Sequence, residues 1–175
     1  TTADFGIKGV KENALGMKTV GEALTIRSEV MRSYEEMCRQ GNNDKLDIAI
    51  VGGGPTGVEM AGAFAELVRG PLHSDFADAA DRVRVSIIEA GPRLVPSFSE
   101  SLSNRTQKDL EKLGVKVLTS TSVKEVLPDS ILTLDGNSIP ADTTVWAAGV
   151  KGVPAMELLH LPITRGRIDV SSTLQ

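Results

Sequence analysis

Apolar residues recur at Val20, Ala23, Leu24, Ile26, Val30, Met31, Tyr34, Met37 and Cys38, mostly three or four positions apart. That spacing predicts an amphipathic helix over about 20–39. The polar run Gln40-Gly41-Asn42-Asn43-Asp44 stops it with residues that tolerate a left-handed turn. Leu46–Val51 is a short apolar run ending in three glycines, which predicts a buried strand and a tight turn. From Pro55 to Arg69 the period becomes helical, with Val58, Ala61, Ala65 and Val68 on one face. Val83–Ile88 reads as a second strand, Ser99–Leu113 as a polar helix stopped by Gly114, and Val115–Leu118 as a third strand.

Beyond these the pattern turns to short pieces. Val123–Leu127, the turn Pro128-Asp129-Ser130, Ile131–Leu134 and the turn Asp135-Gly136-Asn137 predict a small antiparallel meander. Thr143–Ala147 is a last buried strand that ends in Ala148-Gly149. Residues 1–19 hold Gly6, Gly9 and Gly16 without a sustained period and read as a loop. The Ala-, Asp- and His-rich stretch from Pro71 to Arg82 reads as a short helical excursion that lengthens a crossover. The order strand–helix–strand–helix–strand–meander–strand implies an α/β fold: a Rossmann-like, mostly parallel sheet with flanking helices and a small antiparallel β-meander.

Composition narrows the function. Of 175 residues, 41% are hydrophobic and 24% charged, enough for a buried core and too apolar for a disordered tail. A net charge of −4 without a basic stripe argues against a nucleic-acid binder. The single cysteine, Cys38, excludes a disulfide framework and a CxxC redox pair within these residues. No apolar run reaches the roughly 18 residues of a bilayer span. The chain opens at Thr1 rather than Met and stops at Gln175 just after a strand-like run, so a piece of a longer protein is expected.

Gly52, Gly54 and Gly57 form G-x-G-x-x-G, with Gly53, Pro55 and Thr56 completing the turn. Gly52 would permit the tight strand-to-helix turn, Gly54 would leave the backbone open to a pyrophosphate, and Gly57 would let helix and strand approach. The helix start would offer free N–H groups and its positive dipole end to phosphate oxygens, and Pro55 gives up a donor the helix does not use. The motif follows a strand, opens a helix, and is followed by a second strand ending in Glu89. Glu89 lies 32 residues after Gly57, beyond the usual interval of about 20, and the 71–82 stretch accounts for the excess. Glu89 has two readings, a ribose acceptor or a solvated strand-end acid, and the adjoining glycine motif favours the ribose. Arg93 could reach a 2′-phosphate, but Ala90 and Gly91 beside the acid carry no cation, which favours NAD(H) over its phosphorylated form.

Glu59 is on the first turns of this helix, where an acid is mildly stabilising in any protein. His73 and His160 are isolated and form no metal-ligand cluster. Cys38, among apolar residues, reads as packing. No serine occupies a nucleophile elbow, so no catalytic residue is assigned.

Gly52–Leu67 (GGGPTGVEMAGAFAEL), Val85–Pro96 (VSIIEAGPRLVP) and Thr143–Val150 (TTVWAAGV) resemble the pyridine-nucleotide flavoprotein oxidoreductases, with greatest similarity to type II NADH dehydrogenases (NADH:quinone oxidoreductases). Lys18–Leu24 and Leu161–Arg167 fit the same pattern, so the likeness covers nearly the whole chain. In that family an NADH domain is inserted into an FAD domain. The resemblance implies that residues 40–149 are the NAD(H)-binding domain, 1–39 the connector and helix leading from the flavin domain, and 150–175 the connector back. It implies roles at the pyrophosphate turn for Gly52–Gly57, at the ribose for Glu89, near the nicotinamide for Glu59, and at a backbone turn facing the flavin for Ala148 and Gly149. The family's FAD fingerprint and membrane-attaching helices fall outside this sequence. The expectation is therefore a soluble, colourless chain that binds NADH but not FAD and does not turn over alone. Its parent would bind FAD, reduce a quinone on the cytoplasmic side, and meet the membrane only through other segments. Two alternatives stay open: the NAD(H) domain of another flavoprotein reductase (ferredoxin, rubredoxin, nitrite or disulfide), and a non-catalytic NAD-sensing module.

Overall fold

The computed structural model describes residues 3–40, 44–75, 77–149, 163–164 and 167–173. Residues expected as a loop hold a short helix, α1 (Val10–Asn13), and a two-residue strand, β1 (Leu15–Gly16). Gly9 lets this segment lie on the meander: its φ is +79°, and a Cβ there would fall 1.9 Å from the Val126 carbonyl oxygen. The Val126 amide donates to the Lys8 carbonyl at 2.9 Å, and Lys8 pairs with Glu125. The helix α2 (Val20–Gln40) starts with a reciprocal cap. The Glu22 amide donates to Thr19 Oγ1 at 3.2 Å, and the Thr19 amide donates to Glu22 Oε2 at 2.7 Å. Along α2, Ile26, Val30, Tyr34 and Met37 are buried, whereas Val20 and Leu24 face outward.

The central run follows the expected order. β2 (Leu46–Val51) feeds α3 (Pro55–Leu67), which widens into one π turn (Val68–Leu72) holding Pro71. The short helices α4 (His73–Asp75) and α5 (Ala77–Ala80) complete the lengthened crossover to β3 (Val83–Ile88). α6 (Glu100–Lys112), capped by Ser99, leads to β4 (Lys116–Leu118). The meander is β5 (Val123–Val126), β6 (Ser130–Thr133) and β7 (Ser138–Pro140), and β8 (Thr143–Trp146) closes the main sheet. In the last segment, β9 (Ile163–Thr164) pairs antiparallel with β10 (Arg167–Ile168). The predicted 40–44 turn is largely outside the described residues, as are His160 and most of Leu161–Arg167.

Every pairing in the main sheet is parallel, in the order β1-β8-β2-β3-β4. Strand alternation sends side chains to opposite faces. Leu46, Ile48, Ile50, Ile87 and Val145 therefore meet the helices, in one core with Ile26, Val30, Ala61, Phe64 and Leu110. Ala49, Val51, Ile88 and Trp146 point the other way, into a second core with Val123, Val126, Ile131 and Ala141 of the meander. Helices thus cover one face and the antiparallel sheet covers the other, so β2 is apolar on both. From β2 the chain runs outward through β3 and β4, then returns to β8 on β2's other side. That reversal makes a switch point between β2 and β8, and a crevice is expected beyond the strands' carboxyl ends.

Candidate functional site

A crevice of about 590 Å³ lies there, within the size range of small-molecule sites. Gly52, Gly54, Pro55 and Thr56 after β2, and Glu89 and Ala90 after β3, form its floor and one side. Ala148 and Gly149 after β8 form the other. Gly53, Gly57, Glu59 and Arg93 do not line it.

The three motif glycines have different structural reasons. Gly52 has φ +115°, and a Cβ would fall 2.6 Å from the Ala147–Ala148 backbone of the adjoining strand end. Gly57 is buried under the turn, where a Cβ would fall 1.8 Å from the Gly52 carbonyl oxygen. Gly54 has ordinary extended backbone, φ −73° and ψ −179°, and its missing Cβ would meet no atom within 4 Å. The fold therefore needs glycine at 52 and 57 but has no use for it at 54. The space above Gly54 opens into the crevice at the start of α3, where the first-turn amides of Thr56 and Gly57 have no intrahelical partner. A phosphate fits these donors and this space.

Glu89 clamps this turn. Its Oε2 accepts from the Gly53 amide at 2.6 Å and its Oε1 from the Gly91 amide at 2.6 Å. The Val95 amide donates to the Gly53 carbonyl at 2.7 Å, so Gly53 is held on both sides. Each carboxylate oxygen accepts more than one hydrogen bond, and Glu89 also lines the crevice, so acceptor capacity remains for a hydroxyl there. Arg93 is occupied elsewhere: its guanidinium donates to the Phe98 carbonyl at 2.9 Å and the Pro96 carbonyl at 2.8 Å. Glu59 is exposed on the second turn of α3, outside the crevice walls. Among the described residues no cluster of His, Cys, Asp and Glu could hold a metal ion, and no helix is long and apolar enough to cross a membrane.

Sequence patterning missed the walls supplied from a distance. Phe5, Ile7, Met17 and Lys18 line the crevice from the N-terminal segment, and Pro96 and Thr121 from loops. Met17 and Lys18 arrive because β1 pairs with β8, bringing Gly16 beside Trp146. The only local signal nearby is the Thr19–Glu22 cap. Glu22 Oε2 also accepts from the Lys18 amide at 2.8 Å. That bond, then the one from the Thr19 amide, holds the Glu22 carboxyl below its ordinary value.

Comparison with known proteins places the chain in one family and its fold beside solved relatives. The family pattern described as Pyridine nucleotide-disulphide oxidoreductase matches residues 1–175. The mitochondrial internal alternative NAD(P)H-ubiquinone oxidoreductase A1 of Solanum tuberosum is 32% identical over 98% of this chain and 35% of its own length. The type II NADH:quinone oxidoreductase of Haemophilus influenzae is 30% identical over 98% of this chain and 43% of its own. Among solved structures, NDH2 from Plasmodium falciparum in complex with NADH superposes with a TM-score of 0.85 at 28% identity, over 97% of this chain and 37% of that one. The chain thus spans 35–43% of the length of these relatives.

Proposed function

The chain belongs to the pyridine nucleotide-disulphide oxidoreductase family, and on that footing we propose that residues 40–149 are the NADH-binding domain of an FAD-dependent NADH dehydrogenase. The single observation that carries this is Gly54: a glycine the fold does not require, opening onto a crevice at a helix N-terminus. The pyrophosphate would lie on the amides of Thr56 and Gly57, with the adenosine ribose toward Glu89. The nicotinamide half would lie toward Ala148 and Gly149, which are half-buried at the crevice's other side. Residues 1–39 and 150–175 would connect to the flavin-binding part of the parent protein.

The redox chemistry, hydride donation by NADH to a flavin and reduction of a quinone, would belong to the cofactors, while the Gly52–Gly57 turn, Glu89, Ala148 and Gly149 would hold and orient the NADH. The potato and Haemophilus relatives are named for ubiquinone and quinone, which supports that acceptor. Membrane association would come through segments outside this chain.

The test is calorimetric titration of the chain with NADH, where a dissociation constant on the order of 0.1–1 mM is expected, roughly 4–5.5 kcal/mol. Gly54→Val should abolish binding. Unchanged affinity in that variant would mean the nucleotide does not use this turn.

A further inference from the structure

Resting on that nucleotide reading, we propose that Phe5 is the platform against which the nicotinamide ring packs, so that this side chain sets the ring's position in the crevice. A dinucleotide with its pyrophosphate at the start of α3 and its ribose at Glu89 has its adenosine half over β3. In the order β1-β8-β2-β3-β4, its other half extends over β8 and β1. That end is walled by Met17, Ala148, Gly149 and Phe5.

Phe5 is 66% exposed, and of the outward-facing phenylalanines among the described residues, Phe5 and Phe98, Phe5 lines the crevice and Phe98 does not. Its backbone has φ +51°, in the left-handed region that a bulky side chain rarely adopts. The neighbouring chain holds it there. The Ala3 amide donates to the Gly149 carbonyl at 3.1 Å, and the buried Trp146 indole donates to the Ala3 carbonyl at 2.8 Å. On the other side the Ile7 amide donates to the Asp4 carbonyl at 2.9 Å. The ring lies against Gly149, where a Cβ would stand 3.1 Å from the Phe5 Cζ.

A large aromatic ring at the crevice wall, on an uncommon backbone conformation and with its flanks tied down, is what a functional wall requires. Aromatic faces and edges accept planar rings in offset or edge-to-face contact. Of the two planar rings of the dinucleotide, adenine lies at the far end near Glu89, which leaves the nicotinamide for Phe5.

The experiment compares the native chain with Phe5→Ala and Phe5→Tyr by calorimetric titration with NADH and with ADP-ribose, which lacks the nicotinamide. Phe5→Ala should weaken NADH roughly 3- to 10-fold and leave ADP-ribose unchanged, while Phe5→Tyr should bind both as the native chain does. Equal losses for the two ligands would make Phe5 a mere cover over Gly149 and overturn the proposal. Native-like NADH binding in Phe5→Ala would overturn it too, with the nucleotide reading left intact. A native chain that binds neither ligand overturns the nucleotide reading and the role of Phe5 with it.

Discussion

The Glu89 carboxylate and the Gly53 amide are joined by a hydrogen bond of 2.6 Å, so the acid that ends β3 directly holds the turn that ends β2. The same carboxylate takes the Gly91 amide at 2.6 Å. Each is a charge-assisted bond to backbone, worth about 1.5–3 kcal/mol in a half-buried setting. Glu89→Gln keeps one carbonyl acceptor and turns an N–H₂ group toward the other donor. It should lower unfolding free energy by about 1–3 kcal/mol, read as a shift in the denaturant midpoint. A midpoint equal to that of the native chain would show that the glycine turn stands without the clamp.

The same residue should govern cofactor choice. A 2′-phosphate would bring negative charge against the Glu89 carboxylate, at a cost discounted for the wet rim to roughly 1–3 kcal/mol. Arg93 cannot soften this without giving up its bonds to the Phe98 and Pro96 carbonyls. NADH should therefore bind about 5- to 150-fold more tightly than NADPH, and Glu89→Gln should bring the two together. Equal native affinities would leave Glu89 a loop clamp with no part in selecting the nucleotide.

Gly54→Val and Gly57→Ala should fail in opposite ways. At Gly54 the added atoms enter open space on an ordinary backbone, so thermal stability should stay near native while NADH binding is lost. At Gly57 one added methyl meets the Gly52 carbonyl oxygen at 1.8 Å, and the helix must move off the strand at a cost of about 1–3 kcal/mol or more. Melting curves of the two variants separate these outcomes. A Gly54→Val protein as unstable as Gly57→Ala would give residue 54 a structural duty after all.

Acid should weaken the start of α2. Because the amides of Lys18 and Thr19 bond the charged Glu22 carboxylate, its pKa in the folded state lies below its ordinary value of 4.5. A lowered folded-state pKa means its contribution is present above the unfolded value and is lost as pH falls through the folded one. Stability of the native chain should therefore drop on going below about pH 5 by more than that of Glu22→Gln. At neutral pH, Thr19→Ala should cost about 1 kcal/mol through loss of the cap.

Tyr34, the only tyrosine in the chain, provides a clean alkaline marker. Burial, with a smaller contribution from Cys38, pushes its hydroxyl up to about 12. The unfolded chain would ionise near pH 10, so the stability this group lends is present below that and lost as pH rises toward 12. The phenolate ultraviolet band should stay absent at pH 10 in the folded protein and appear together with unfolding. Tyr34→Phe should resist alkali better than the native chain. A phenolate signal near pH 10 in fully folded protein would place the Tyr34 hydroxyl in contact with water.

The elements around the site differ in how they were legible. β2, α3, β3 and α6 stand out in the sequence because each carries its own apolar run or period. The glycine turn stands out because the positive φ of Gly52 and the approach of Gly57 to the Gly52 carbonyl arise within one strand-turn-helix unit, although the Ala147–Ala148 backbone against Gly52 does not. The parallel arrangement of β2, β3 and β4 follows from the helices between them. No such local mark announces β1. Leu15 and Gly16 form a strand only because the edge of β8 supplies partners some 130 residues away, and two residues are too few to show alternation. The same holds for Gly9 against the Val126 carbonyl, for the Trp146 indole on the Ala3 carbonyl, and for Phe5 over Gly149. Glu89 was visible as an acid at a strand end, but its two backbone bonds were not, since a hydrogen bond between distant segments leaves no period in either one. Periodicity records the burial of a face. Which distant backbone completes that face, and so which side chains wall the crevice, is settled when the sheet closes.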